Sequence, residues 1–311
     1  MASGLRDVAA PPTTAASGAP PAGRRMPRID RLGWKLLVLP AVVWIGVFFL
    51  FPVASILLRS FTEFRPPESG GLDNYKWFFE SSANMTVLRR TLFVSGYVTL
   101  LCLVLGYPYA YLMTLTRGWV RLLLLAAVVI PLTTSPLVRT YAWLGLLADN
   151  GPVVGGLDRL GLGRPELLGN SISVTIGMMH IAFPLMVLPL YAALLRVDRR
   201  LLDAAASLGA PPRSAFFRVY LPLSAPGILA GSVLVSVLSL GFYLTPALLG
   251  SPQQTLMAPL IVTQVRQVLA WGHGGAMAFV LFVLTLMLLG LGALGSRGLL
   301  RRASAGRAEE E

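Results

Sequence analysis

Six apolar runs, each near or above the length needed to cross a bilayer, leave this chain few possible folds. At 1.5 Å rise per residue, a helix needs about 20 mainly apolar residues to traverse about 30 Å of hydrocarbon. The runs are Trp34 to Leu58, Leu88 to Leu115, Arg121 to Leu147, Ser171 to Leu195, Gly227 to Leu249 and Gly274 to Gly295. They are apolar all round rather than along one stripe, which predicts lipid-crossing helices instead of buried soluble ones. No period-two alternation appears, which argues against a β-barrel. The expectation is an all-α polytopic membrane protein with six transmembrane helices.

Composition agrees: 55% of the 311 residues are hydrophobic and 13% charged, with a mean hydropathy of +0.69. The net charge of +12 would suggest nucleic acid in a soluble protein. Here most of the arginines flank apolar runs, so the expected partner is membrane lipid and not nucleic acid. Met1 to Ile29 is rich in Ala, Pro, Gly, Ser and Thr and has almost no large apolar side chains. Such a segment cannot offset the entropy of ordering, and 1–33 is expected to be a disordered cytoplasmic tail. The run at 34–58 exceeds the 7–15 residues, roughly, of a secretory signal core, so an uncleaved first membrane helix is expected. Cys102 is the single cysteine and lies inside an apolar run. No intramolecular disulfide is possible, and a packing role is expected.

Six spans put both termini on one side. That side gathers Arg6, Arg24, Arg25, Arg28, Arg31, Lys35, Arg117, Arg121, Arg196, Arg199, Arg200, Arg213, Arg218, Arg297, Arg301, Arg302 and Arg307. The opposite loops mix Arg59, Arg65, Lys76, Arg89, Arg90, Arg159, Arg164 and Arg266 with Glu63, Glu68, Asp73, Glu80, Asp149, Asp158 and Glu166. The positive-inside rule therefore predicts cytoplasmic termini, a 296–311 cytoplasmic tail, and a cytoplasmic loop between spans four and five.

A phosphate-binding loop requires Gly-Lys followed by Ser or Thr. The two lysines, Lys35 and Lys76, are followed by Leu36 and Trp77. The chain is thus expected not to hydrolyse ATP and to need no cofactor of its own. His180 and His273 do not form the His-Glu-x-x-His pair of a zinc protease, and no metal site is expected. Ser173 and His180 share one span without the Gly-rich motif of an intramembrane serine protease. His180 is read as an interhelical hydrogen-bonding residue or as part of a solute path.

The loop after span four reads Asp203-Ala204-Ala205-Ala206-Ser207-Leu208-Gly209, then nine residues, then Val219-Tyr220-Leu221-Pro222. This spacing resembles the EAA loop of binding-protein-dependent ABC importer permeases, with Asp203, Ala204, Ala205, Gly209, Val219, Leu221 and Pro222 in the pattern's places. Asp for Glu and Val for Ile are mild departures. Leu137 to Trp143, Phe183 to Tyr191 and Gly241 to Gly250 are similar to segments of the spermidine/putrescine-type permeases, so the likeness covers roughly 88–295.

The resemblance implies a type I ABC importer permease fold in a bacterial inner membrane, with 88–295 as the permease core. The implied partners are ABC ATPase subunits that carry ATP and Mg, a second permease subunit, and a periplasmic or lipid-anchored solute-binding protein. It further implies that Asp203, Ala204 and Ala205 begin a short docking helix ended by Gly209, with Pro222 fixing the turn toward span five. Arg199, Arg200 and Arg213 would stand at the rim of the contact with the ATPase. A polyamine substrate is implied, while ferric iron, opines and phosphonates are handled by related permeases. A secondary transporter would instead show internal repeats; none is found, and the loop motif occurs once.

The remaining candidates lie in the spans. Pro108, Pro131, Pro136, Pro184, Pro189 and Pro246 each remove a backbone donor, which implies either a cavity or shaped helix packing. Arg139 is costly at membrane depth and is expected toward the outer half of span three, followed by Tyr141 and Trp143. These three are read as an interfacial belt or as contacts with solute or binding protein. With His180, Phe242 and Tyr243 they form the candidate translocation path. Gly227-x-x-x-Gly231 permits close approach of a neighbouring span or a partner permease.

Overall fold

The structure is a computed structural model that describes residues 31–64, 70–198 and 200–308. In chain order its helices are α1 (Arg31–Ile45), a π turn (Gly46–Leu50), α2 (Phe51–Thr62), α3 (Asp73–Glu80), α4 (Ser82–Leu115), α5 (Gly118–Thr133), α6 (Pro136–Leu147) and α7 (Pro152–Arg159). They continue as α8 (Ser171–Leu194), α9 (Arg200–Ser207), α10 (Pro212–Ala215), a second π turn (Phe216–Tyr220) and α11 (Leu221–Leu223). Then come α12 (Ala225–Leu240), α13 (Leu244–Leu249), a 3-10 turn (Pro252–Gln254), α14 (Met257–Arg266) and α15 (Trp271–Ala308). The described residues contain no strand. The disordered tail expected before residue 31 lies outside the described residues.

The chain divides at Pro52 into two units, 1–52 and 53–311. In the first, the apolar side chains from Val38 to Phe51 are exposed, as a lipid-facing helix requires. The second contains the core, built where α4, α8 and α12 pack together. Val98, Cys102, Met178, Ala182, Met186, Val187, Leu190 and Val235 are buried there. Hydroxyls stitch the same helices: Ser95 Oγ donates to Ser236 O at 3.0 Å, and the Thr99 and Ser236 hydroxyls share a bond of 2.9 Å. Hydrogen bonds between spans hold groups that lipid cannot satisfy. Gly227 and Gly231 lie on the α8 face of α12. A Cβ on Gly231 would stand 2.7 Å from Met186 Sδ and 3.1 Å from Met186 O. The seam expected for these glycines is therefore made within this chain.

Cysteine 102 fills a buried place in the core without a disulfide. Away from the core, Asn74 Nδ2 donates to the carbonyls of Ser60 at 2.8 Å and Glu63 at 2.9 Å, closing the end of α2. Gly275 lets α15 pass that end, since a Cβ there would lie 2.6 Å from Ile56 O.

Four helices are long and apolar enough to cross a membrane unbroken: Val38–Thr62, Ser82–Leu115, Ser171–Leu194 and Trp271–Ser296. Counting each of two bent pairs as one span brings the total to the expected six. Gly118–Thr133 meets Pro136–Arg159 at 103°, and Pro212–Leu223 meets Ala225–Leu240 at 60°. Three helices differ in extent from the apolar runs, although the last candidate span, Trp271–Ser296, ends within one residue of the expected Gly295. Span three is not one helix from Arg121 to Leu147, because Pro131 and Pro136 remove two amide donors and Ser135, preceding proline, is extended at ψ 133. Span five does not run to Leu249; it unwinds at Gly241 to Tyr243, where Pro246 denies Phe242 O its helical donor. The last helix does not end at Gly295 but continues to Ala308 through most of the expected tail.

Candidate functional site

The loop between α8 and α12 folds into a defined unit. Asp198 Oδ1 accepts from Arg200 N at 2.9 Å and opens α9. At the other end Ala210 N donates to Ala205 O at 3.0 Å and Gly209 N to Ala206 O at 2.9 Å. With Gly209 at φ +84, this pair of bonds is a Schellman stop, which uses the left-handed conformation that glycine adopts freely. The helix and cap expected from Asp203, Ala204, Ala205 and Gly209 are therefore present.

Leu202 turns toward the core, whereas Asp203, Ala204, Ala206 and Leu208 form an exposed surface. Leu208 is 90% exposed. Val219 and Leu221 are half-buried on the second π turn and α11, and Pro222 is exposed. Pro222 does not make the turn toward span five. It lies inside the helical stretch Pro212–Leu223, directly after the π turn, and the 60° bend falls two residues later at buried Ser224. The described ion pairs, Arg59 with Glu63, Lys76 with Asp73 and Arg164 with Asp158, involve none of this loop's charges. Arg200 and Arg213 thus stand exposed at the rim, and Arg199 lies outside the described residues.

The candidate path residues fall into separate settings. Arg139 begins the second turn of α6, just beyond the 103° break. It is 7% exposed, and its Nε and Nη1 are buried without a hydrogen-bond partner. Trp143, one turn on, donates from Nε1 to His180 Nδ1 at 3.0 Å, joining α6 to α8. Trp143 and His180 therefore meet between α6 and α8, with Arg139 one turn before Trp143 on α6, whereas Tyr141 projects outward at 53% exposure. Phe242 is buried against the core at the unwound end of α12. Tyr243 is 42% exposed and lines a polar groove of 530 Å³ with Thr255, Thr263 and Gln267. Trp143→Phe should lower stability by about 1 kcal/mol by leaving His180 Nδ1 without its donor. An unchanged unfolding midpoint in detergent would show that the bond contributes nothing.

Thr140 and Thr245 were not singled out in the sequence, yet their hydroxyls meet at 3.3 Å and join the two broken spans. Thr140 Oγ1 also donates to Pro136 O at 2.9 Å. The available signal was a threonine within one turn of a mid-span proline in both segments.

Four helices able to cross a membrane, two bent pairs, a core where α4, α8 and α12 pack, and a capped loop helix between α8 and α12 define a polytopic α-helical membrane protein. The family model for the inner membrane component of binding-protein-dependent transport systems matches residues 102–296. The chain belongs to that family. It is 34% identical over 263 residues to the spermidine/putrescine transport system permease protein PotB of Haemophilus influenzae, covering 82% of this chain and 91% of that protein. The corresponding PotB of Escherichia coli K12 is 34% identical over 264 residues, covering 83% and 92%. The permease fold is also shared with a solved bacterial alginate ABC transporter in complex with its pentasaccharide-bound periplasmic protein, at TM-score 0.70 and 20% identity, covering 87% of this chain and 96% of that one.

Proposed function

We infer that this permease forms part of the translocation path of an importer for spermidine, putrescine or a closely similar polyamine, powered by a separate ATPase docked on α9. The carrying observation is the likeness to PotB over more than four-fifths of the chain. The exposed, capped surface of Asp203, Ala204, Ala206 and Leu208 supplies the docking reading. Val219 lies on the π turn that packs against α9, Leu221 and Pro222 follow it on α11, and Ala205 adds little bulk to α9. A second permease completes the path, and a solute-binding protein delivers cargo from the opposite face.

ATP and Mg reside on the partner. ATP binding closes the ATPase dimer and displaces α9, and the spans tilt between inward-open and outward-open states that differ in α9's contacts. Arg139, Trp143 and His180 lie beside the break in span three, and Phe242 and Tyr243 at the unwound end of α12. Discontinuous helices are where transporters place solute sites, which is the reason for assigning these residues to the path. Tyr141 joins them through its place on α6. The arginine bias puts α9 and both termini in the cytoplasm, with 88–295 as the permease core and 296–311 as a cytoplasmic tail.

The test is reconstitution of this chain with its ATPase, second permease and binding protein in proteoliposomes. ATP-dependent uptake of labelled spermidine, suppressed by excess putrescine and unaffected by ferric citrate, an opine or a phosphonate, is expected. Uptake driven by an ion gradient without the ATPase would establish a secondary carrier instead. Uptake of only one of the competing solutes would reassign the substrate.

A further inference from the structure

The docking helix reaches the rest of the fold by a narrow route. Helix α9 packs against α10 and the second π turn, and no other element meets it as extensively. Beneath it, a recess of 600 Å³ lies between Leu201 and the ends of α8 and α12, lined by Ala192, Ala193, Arg196, Leu223 and Pro226. The space leaves α9 unsupported from that side. The π turn therefore offers a direct route by which a displacement of α9 can reach the spans.

The π turn meets α4 through an aromatic cluster. Phe216 stacks on Tyr220 at 5.7 Å between ring centres. Tyr111 of α4 places its edge against Phe216 at 5.7 Å and Tyr220 at 5.3 Å, and Tyr107 meets Phe216 at 6.0 Å. Tyr220 is buried. The Tyr107 hydroxyl then bonds Ser224 Oγ at 2.9 Å, and Ser224 Oγ donates to Leu221 O at 2.8 Å. Ser224 is the bend between α11 and α12. Rings in edge-to-face contact resist sliding because their quadrupoles favour that geometry. A π turn is a strained, widened turn that marks places where a helix changes register. On the receiving side, Pro108 follows Tyr107 and deprives Val104 O of its helical donor, so α4 is compliant beside the contact.

We propose that Tyr107, Tyr111, Phe216 and Tyr220, with the Tyr107–Ser224 hydrogen bond, are the transmission joint that converts movement of α9 into movement of α4 and α12. They are positioning residues: the ATPase contact is assigned to the exposed surface of α9, and the solute path to other residues. The proposal rests on the reading of α9 as the ATPase docking helix. It adds the residues through which the force passes and predicts that they govern coupling separately from docking.

The test uses the full reconstituted importer with labelled spermidine as probe and measures spermidine moved per ATP hydrolysed. Tyr107→Leu with Tyr111→Leu keeps apolar bulk on α4 but removes the ring edges and the Ser224 bond. This double variant should keep its ATPase through purification and hydrolyse ATP within about twofold of the parent, while spermidine per ATP falls at least tenfold. Tyr107→Phe with Tyr111→Phe restores the rings without the hydroxyls and should recover most of the ratio, short of the Ser224 contribution. A parental ratio in the leucine pair overturns the proposal. So does a loss of ATPase association or of the unfolding midpoint that accounts for the lost uptake, since the cluster would then merely hold the fold. Gly209→Asp, run in parallel, isolates the underlying reading: if it retains both ATPase and uptake, α9 is not the dock, whatever the tyrosine variants do.

Discussion

Gly209→Asp is expected to abolish ATP-driven uptake and ATPase association while leaving membrane insertion and the unfolding midpoint nearly unchanged. Gly209 sits at φ +84, and a Cβ built there meets nothing within 4 Å. An L-residue in that left-handed position costs roughly 1–2 kcal/mol, with aspartate among the better tolerated, and no clash is added. The isolated chain should therefore fold. What changes is the exposed end of α9, beside Leu208 and Ala204, where a carboxylate would be buried without a partner on docking. Such unpaired interface charges cost about 2–5 kcal/mol, or roughly 30-fold to several thousandfold in affinity. Gly209→Ala separates the two terms, because it carries the backbone strain without the charge, and should retain most of the association. Normal uptake by the aspartate variant would remove α9 from the coupling path.

Gly227→Val has the opposite expected profile, with the fold lost first. A Cβ at 227 falls on Ala193 Cβ and lies 3.1 Å from Pro189 O and 3.3 Å from Leu190 Cα. Two of these neighbours are backbone atoms of α8, which cannot rotate aside. Overpacking a close-packed interior costs about 1–3 kcal/mol when side chains can shift. Here α8 and α12 must separate, so a loss of at least about 3 kcal/mol is expected. It should appear as aggregation in mild detergent or a clearly lowered unfolding midpoint. Gly290→Val is the control, since nothing lies within 4 Å of a Cβ at that position, and it should be close to neutral. Equal behaviour of the two valine variants would mean that the α8–α12 seam is looser than its geometry.

The spans were legible because lipid solvates every face of a crossing helix alike, which writes an all-round apolar run into the sequence. The capped loop helix α9 was legible too: its helix formers, glycine stop and spacing are local. The breaks were only half legible. Pro131, Pro136 and Pro246 announced missing donors, but whether a helix bends, unwinds or merely kinks depends on what else can satisfy the freed carbonyls. Thus Ser135 made the 103° turn and Gly241 to Tyr243 unwound, while Pro184 and Pro189 left α8 continuous. Pro222 misled too: it lies inside the helical stretch Pro212–Leu223, and the bend falls at Ser224.

Sequence alone marked the apolar runs that can cross, which segments carry the glycine seam, and where a capped loop helix would stand, because each follows from local hydrophobicity and backbone preference. Tertiary structure decided which surfaces meet. It put Gly227 and Gly231 on α8, joined Trp143 to His180, left the Arg139 guanidinium buried, and set Tyr107 and Tyr111 of α4 against Phe216 and Tyr220 more than a hundred residues away. Lipid gives an apolar face no preference among neighbouring helices, so partner choice rests on shape and on hydroxyl and ring contacts, which exist only once the helices are assembled.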